Sequence, residues 1–307
     1  MQVDDRLDLR EKINELRTRR GAVILVHNYQ LGEVQDIADF VGDSLDLSRK
    51  AAATPAEVVV FCGVRFMAET AAILSPDKMV LLPAKEAGCP LADMADADRL
   101  RRMKTEHPGA AVVCYVNSSA EVKAESDICC TSANAARVVA QIEPDREIIF
   151  LPDKYLGDYV RGVTGRQMIL WPGFCPTHMR ILPEHIALKR KQYPNARVIV
   201  HPECRREVAL EADEVLSTGG MCRYARETDA LTIIVGTELG IIHRLQKENP
   251  DKHFVPATEQ AICPNMKLIT LEHVLWALED LQHRIEVPSE IRSRAEAAVQ
   301  RMIASGR

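Results

Sequence analysis

Three short apolar runs, AVILVHNYQ (22–30), AAVVCYVNSS (110–119) and ARVIVHPEC (196–204), decide the fold of this 307-residue chain. Each run is rich in β-branched residues and ends in polar ones. A buried parallel strand has this pattern when its carboxyl end opens into a binding site. We therefore interpret the three runs as the first strands of three copies of one α/β unit.

The sequence after each run keeps the same spacing. His27, Tyr115 and His201 stand at matching positions of the three runs. A residue with a side-chain hydroxyl lies 17 positions after each of them, at Ser44, Ser132 and Thr218 respectively. A further strand ends 34 to 36 positions after each of the same three matching positions, in VVVFCG (58–63), EIIFLPD (147–153) and LTIIVGTE (231–238). Each copy then closes on a Cys-Pro pair, at Cys89, Cys175 and Cys263.

These repeats predict the fold class and the domain organisation. Strands that alternate with helical segments throughout a chain form open parallel sheets with helices on both faces. We predict an α/β protein of three similar small parallel-sheet domains, in a pseudo-threefold arrangement around a central cavity. The predicted domains are residues 1–106, on which the C-terminal helix packs back, then 107–193 and 194–285, followed by a C-terminal helix at 286–307.

Composition excludes several classes of function. The net charge is −5, from 39 basic and 44 acidic residues, which excludes a generally basic nucleic-acid binder. No apolar run approaches the roughly 18 residues that span a bilayer, and the N-terminus lacks the apolar core of a signal peptide. Nine cysteines without a C-x-x-C pair fit a reducing compartment rather than a disulfide framework. We expect a cytoplasmic protein with no membrane or nucleic-acid partner.

The three phased cysteines predict a metal centre. Because strand ends of open parallel sheets face one crevice, Cys89, Cys175 and Cys263 are expected to meet in the central cavity. Soft sulfur ligands favour an iron–sulfur cluster, zinc or copper(I). A [4Fe–4S] cluster with only three cysteine ligands would keep one iron open as a Lewis acid. A lone cysteine is more often a small core residue, but three in phase favour ligands.

The repeated hydroxyls predict anion binding. Ser44, Ser132 and Thr218 each lie where a helix is expected to begin, so we predict that they cap those helices. The N-terminus of a helix also binds anions through its unpaired N–H groups. Ser217 extends the third of these sites. Together they would suit a substrate with about three negative groups.

Polar residues at the strand ends predict acid–base chemistry. Glu203 is the candidate carboxylate base, and His201 and Tyr29 are candidates for proton transfer. His178 lies three residues after Cys175 and is expected to reach the same cavity. His27, Asn28, Tyr115 and Asn117 lie at the same strand ends and belong to this predicted cluster.

Several motifs together resemble quinolinate synthase, the NadA family. They are HNYQ (27–30), GDSLDLSR (42–49), AGCPLADM (87–94), CTSANA (130–135), WPGFCPTHMR (171–180), HPEC (201–204), STGGM (217–221) and ICPNMK (262–267). The resemblance implies three α/β domains around a [4Fe–4S] cluster held by Cys89, Cys175 and Cys263. It implies substrate contacts at His27, Ser44, Tyr115, Asn117, Ser132, His201, Glu203 and Thr218, with Tyr29 and His178 at further active-site positions.

The resemblance also implies a reaction. Iminoaspartate (iminosuccinate) and dihydroxyacetone phosphate would condense to quinolinate, phosphate and water in de novo NAD biosynthesis, and an aspartate oxidase or aspartate dehydrogenase would supply the iminoaspartate. Three alternatives remain open. The chain could be an iron–sulfur carrier or redox sensor without catalysis, a zinc-dependent hydrolase built on the same cysteines, or a structural scaffold.

Overall fold

Three four-stranded sheets, in which all strands run parallel, frame the computed structural model, which describes residues 3–306. Each sheet has its strands in the same order, second, first, third and fourth. The predicted α/β class with three small parallel sheets is therefore confirmed. The first strand of each unit lies inside its sheet and is covered on both faces, which explains its continuous apolar sequence.

The first two units have closely similar elements. The strands of the first are β1 (Ala22–His27), β2 (Phe40–Gly42), β3 (Val58–Cys62) and β4 (Met79–Leu81). Its helices are α1 (Val3–Arg19), α2 (Gly32–Asp36), α3 (Ser44–Ala53), α4 (Arg65–Leu74) and α5 (Ala97–Glu106). The second unit has β5 (Ala111–Tyr115), β6 (Ile128–Cys130), β7 (Ile148–Leu151) and β8 (Ile169–Leu170), with α6 (Ala120–Ala124), α7 (Ala135–Ala140), α8 (Lys154–Thr164) and α9 (Pro183–Gln192).

The third unit follows the same plan. Its strands are β9 (Arg197–Val200), β10 (Glu214–Val215), β11 (Thr232–Gly236) and β12 (His253–Pro256). Its helices are α10 (Arg206–Leu210), α11 (Thr218–Glu227) and α12 (Ile241–Glu248). Two more helices close the chain, α13 (Leu271–Asp280) and α14 (Ser289–Ala304). Among the described residues, no helix combines the length and the apolar character needed to cross a membrane.

An aspartate fastens the second strand to the first in every unit. Its carboxylate accepts a hydrogen bond from the backbone N–H of the residue 15 positions earlier, and its own N–H donates to the carbonyl of that residue. The pairs are Asp39 with Ile24, Asp127 with Val112, and Asp213 with Val198, at N···Oδ2 distances of 2.8, 2.8 and 2.7 Å. This pair of hydrogen bonds occurs once in each unit at matching positions, as the three cysteines do. Sequence reasoning did not identify it.

The units contact one another head to tail. The short helix after the first strand of each unit packs on the helix after the third strand of a neighbouring unit. The contacting pairs are α2 with α12, α6 with α4, and α10 with α8. The three units therefore form a closed ring of contacts, and the exact threefold relation between them stays a prediction.

The C-terminal segment joins the first two units. Helix α13 packs on α1 and β3, and residues 283–285 pair with β4 through Leu82 N to His283 O (3.1 Å) and Ile285 N to Val80 O (2.8 Å). Helix α14 contacts α4, α6 and β6. The predicted third domain ended at residue 285, whereas residues 271–285 lie against the first unit, because their apolar face covers α1 and the edge of the first sheet. The other domain boundaries stay predictions.

Candidate active site

A cavity lies where the strand ends of the three units converge. Thirteen of the fourteen predicted site residues line it: His27, Tyr29, Ser44, Cys89, Tyr115, Asn117, Ser132, Cys175, His178, His201, Glu203, Thr218 and Cys263. Ser217 is not part of this lining. Its hydroxyl caps α11 by accepting a hydrogen bond from Gly220 N at 3.1 Å. The structure thus gives Ser217 a structural partner, and its predicted contact with substrate stays a prediction.

The N-cap positions of these three helices differ from the predicted ones by one or more residues. Asp43, not Ser44, caps α3, and Ser217, not Thr218, caps α11. Ser132 lies three residues before α7, which begins at Ala135 without a side-chain cap. The preceding residue forms the cap because its extended backbone lets its side chain bend back toward the first turn. Ser44 and Thr218 are therefore the first residues of their helices, and both line the cavity.

Each cysteine begins the same local motif. A Cys-Pro pair and one further residue precede a 3₁₀ turn, and the turns span Ala92–Met94, His178–Arg180 and Met266–Leu268. The backbone N–H three residues after each cysteine donates to its sulfur. The motif thus aims backbone dipoles at the position where a thiolate would carry its charge.

The cysteine thiols need a cation before they ionise. Burial raises the pKa of Cys89 to about 12, and it also raises the pKa of Cys175 and Cys263. A buried thiolate is stable only where a positive charge compensates it, as a bound metal does. Three such soft donors that line one cavity fit the ligand set of an iron–sulfur centre.

His178 links Cys175 to the acid–base residues. Its Nδ1 lies 3.1 Å from Cys175 Sγ and 2.8 Å from Glu203 Oε2. Its Nε2 lies 2.8 Å from Thr237 Oγ1, and that hydroxyl is hydrogen-bonded to the Tyr29 phenol. The cavity wall therefore holds a connected path of hydrogen bonds from a carboxylate to a phenol.

Two histidines from different units have the same arrangement. The Nδ1 atoms of His27 and His201 accept the backbone N–H two residues further on, that of Tyr29 (3.2 Å) and of Glu203 (3.3 Å). Burial lowers the pKa of both imidazoles to about 3, so both are neutral at pH 7. A neutral ring with Nδ1 occupied as acceptor carries its proton on Nε2. His201 Nε2 lies 3.2 Å from Ser132 Oγ and is placed to donate to it.

Glu203 is a buried carboxylate. Burial by itself raises its pKa, but attraction to His178, the hydrogen bond from His178 and further contacts with His201 and Tyr115 outweigh that effect and lower the pKa to about 2. Asn117 Nδ2 also donates to its Oε1 at 3.2 Å. The group is therefore ionised at neutral pH and is held by residues from the second and third units.

Sequence reasoning placed Asn28 among the strand-end residues without identifying its partners, and it missed Glu238. Buried Asn28 donates to Thr218 Oγ1 at 2.9 Å and accepts from Arg244 Nη1 at 2.8 Å, so it holds the start of α11 against the first unit. Glu238 lines the cavity, and it ends the strand run 231–238 at the predicted edge of the sheet. That strand-end position was the signal that could have identified it. One wall is apolar, with Val64, Phe66 and Met67.

This chain is similar to known proteins along nearly its whole length. Residues 11–304 match the family model described as Quinolinate synthetase A protein. The chain is 61% identical over 292 residues to the quinolinate synthase of Dehalococcoides mccartyi (strain CBDB1), which covers 95% of this chain and 96% of that one. It is 57% identical to the enzyme of Desulforudis audaxviator (97% and 98% covered) and 54% identical to that of Methanoregula boonei (98% and 100%).

The match extends over all three units, from α1 to the end of α14. Identity above one half along almost the full length of each relative shows common descent of the whole chain. The chain belongs to the quinolinate synthetase A protein family of enzymes.

Proposed function

We propose that this chain condenses iminoaspartate with dihydroxyacetone phosphate to give quinolinate, phosphate and water in NAD biosynthesis. One observation carries the proposal. Three cysteines from three units, two neutral imidazoles and a buried carboxylate line the same cavity of a chain that belongs to this family. An aspartate oxidase or an aspartate dehydrogenase would supply the iminoaspartate.

Cys89, Cys175 and Cys263 would hold a [4Fe–4S] cluster. When bound, the cluster would supply an iron with an open position, a Lewis acid that polarises a substrate oxygen or nitrogen. The raised pKa values of the thiols support this assignment, because deprotonation of buried cysteines requires a strong local cation. The remaining chemistry of binding and proton transfer belongs to the side chains.

The substrates would be bound as anions by neutral donors. Iminoaspartate has two carboxylates and the triose has a phosphate. The Nε2–H group of His27 and the hydroxyls of Ser44 and Thr218 face the cavity without adding a positive charge. Among the described residues, none hydrogen-bonds the buried Oδ1 of Asn117. A buried acceptor of this kind suits a donor group of the substrate.

Proton transfer would use the path that joins Glu203, His178, Thr237 and Tyr29. Carbon–carbon bond formation requires removal of a proton from a carbon atom of a substrate. Glu203, the ionised carboxylate at one end of this path, would accept that proton. Dehydration requires a donor to the leaving oxygen. Burial raises the pKa of Tyr29 well above its ordinary value, so its phenol keeps its proton and is available for that step.

The test is made on protein prepared without air. We expect about four iron and four sulfide per chain, and formation of quinolinate from the two substrates. Replacement of Cys89, Cys175 or Cys263 by serine should remove the iron, the sulfide and the activity. If one of these variants retained its iron, its sulfide and its activity, the cysteine replaced in it would be excluded as a cluster ligand.

The same measurements separate the alternatives. An iron–sulfur carrier would transfer its cluster to an acceptor apoprotein and form no quinolinate. A zinc site would show zinc without sulfide. A ligand set for a single ion does exist, because atoms of Cys175, His178 and Glu203 lie within 4.8 Å of one another. The metal content of the purified protein decides between them.

A further inference from the structure

A buried ion pair ties the Cys263 loop to the first unit. Glu238 follows β11 and its side chain is only 1% exposed, and Lys267 lies four residues after Cys263. The Lys267 Nζ atom lies 2.9 Å from Glu238 Oε1 and 3.1 Å from Oε2. The pair therefore sits directly beside one of the three proposed cluster ligands.

Both oxygens of Glu238 are occupied. Oε1 also accepts the backbone N–H of Cys263 at 3.0 Å, and Oε2 accepts that of Gly240 at 2.7 Å. These three donor groups occupy most of the roughly four acceptor positions of the carboxylate. Although Glu238 lines the cavity, its contacts are those of a residue that holds a loop in place.

Lys267 reaches across the junction between the third and first units. Its ammonium also donates to the backbone carbonyl of Tyr29. Gln35, in α2, donates to the carbonyl of Gly240 at 2.8 Å, which adds a second link between the first and third units. The loop that bears Cys263 and the loop that bears Tyr29 are thus fastened together through one ammonium.

The carboxylate of this pair has a counterpart in the second unit, because Asp153 follows β7 and accepts the backbone N–H of Cys175. The lysine is not part of the repeated plan of the fold. The positions that correspond to Lys267, four residues after the other two cysteines, are the exposed Asp93 and the apolar Met179. A lysine occurs only in the loop that meets Tyr29. A feature needed by every unit would recur, so the lysine points to a task that is specific to this junction.

We propose that Glu238 and Lys267 are positioning residues that hold Cys263 in the cavity and fix the Tyr29 loop against it. They would determine how firmly the cluster is retained and where the Tyr29 phenol is placed. This inference rests on the proposed function for the cluster and for Tyr29. The placement of the Cys263 thiol is independent of it and is measured separately.

The test compares four variants prepared without air. Lys267→Met and Glu238→Gln remove one charge of the pair at nearly constant volume, and Lys267→Arg keeps the charge. Lys252→Met is the matched control in the same unit, since Lys252 Nζ donates to the carbonyls of Ala225 and Thr228 away from the cavity. The measurements are the rate of iron loss to a chelator, kcat and KM, and the rate at which iodoacetamide alkylates Cys263 in cluster-free protein.

We expect Lys267→Met and Glu238→Gln to lose iron about 10- to 100-fold faster, the usual effect of removing a group that orients a ligand. Their kcat should fall more than KM rises, and Cys263 should be alkylated at least about 10-fold faster. Lys267→Arg should recover most of each loss. Lys252→Met should match the wild type in all three measurements.

Unchanged alkylation of Cys263 in both charge-removing variants would overturn the inference, and so would equal effects from Lys252→Met. If Lys267→Met does not fold, Glu238→Gln carries the comparison, because a glutamine can still accept the Cys263 N–H. A wild-type protein without iron would instead contradict the proposed function, while the alkylation rates would still decide whether the pair positions Cys263.

Discussion

Gly240 lies where the backbones of the first and third units approach closely, and its replacement by alanine is a direct test of the junction. A β-carbon at this position would stand 2.4 Å from the carbonyl oxygen and 2.6 Å from the carbonyl carbon of Tyr29, and 2.7 Å from Lys267 Nζ. The first two neighbours are backbone atoms that no rotamer change can move. The backbone of Gly240 has a φ of −59°, which alanine adopts without strain. The effect of Gly240→Ala is therefore steric.

The size of the effect follows from these contacts. Non-bonded carbon and oxygen atoms approach to about 3.3 Å, so the Tyr29 carbonyl must move by about 1 Å. Overpacking of this kind costs about 1–3 kcal/mol of unfolding free energy. In a protein of this size that lowers Tm by about 2–5 °C. A displacement of about 1 Å at a residue of the active site is expected to lower kcat/KM by about 100-fold.

Gly162 provides the control. It lies within α8, and a β-carbon there would meet nothing within 4 Å. Gly162→Ala should raise the unfolding free energy by about 0.5–1 kcal/mol, because alanine has less freedom in the unfolded chain. The assays are thermal unfolding followed by circular dichroism, and steady-state formation of quinolinate. A Gly240→Ala variant with the Tm and kcat/KM of the wild type would show that the Tyr29 loop moves freely, and would refute the steric argument.

Three further predictions concern protonation, catalysis and packing. His27 and His201 have a pKa near 3 when folded and near 6.5 when unfolded, so the unfolded chain binds more protons between these values. The free energy of unfolding, measured by guanidinium titration, should therefore fall as the pH is lowered from 6.5. Its slope against pH gives the number of protons taken up on unfolding, and His27→Gln should reduce that number by about one. An unaltered slope would contradict the buried neutral form of His27. Glu203→Gln should keep its iron but lose at least about 100-fold in kcat, and a normal kcat would exclude Glu203 as the base. Trp171→Phe leaves the Met94 carbonyl without its 2.8 Å donor and should lower the unfolding free energy by about 1–2 kcal/mol, as measured by denaturant titration.

The fold was predictable because burial of a parallel sheet imposes a strong local pattern. Strands such as β1 and β5 must be apolar on both faces, and polar residues can follow only at the open edge. The spacing of strand ends then brought Cys89, Cys175 and Cys263 into one cavity without any knowledge of loop conformation. The identity of the capping residues was harder, since Asp43 and Ser44 are both suitable caps and only the backbone angles decide between them.

The partners of the supporting residues could not be predicted, because they come from other units. Asn28 contacts Thr218 and Arg244, which are 190 and 216 positions away in the sequence. Nothing in the local pattern around a buried amide indicates which of these distant groups it will meet. The same holds for Lys267, whose sequence context is that of an ordinary surface lysine. Pattern predicts where side chains gather, whereas hydrogen-bond partners across a junction depend on the packing of whole units.

The three short helices show how one repeated plan yields three different junctions. Their fourth residues are Gln35, Lys123 and Ala209. Gln35 donates to the carbonyl of Gly240 in the third unit at 2.8 Å, and Lys123 donates to that of Phe66 in the first unit at 3.2 Å. The side chain of Ala209 has no hydrogen-bond donor, and an open groove lies beside it between α8 and α10. Since the strand pattern is the same in all three units, the differences in chemistry are concentrated in single positions that face a neighbour. Identical frames therefore need not give equivalent junctions, and the chemistry of each must be derived from the residues that meet there.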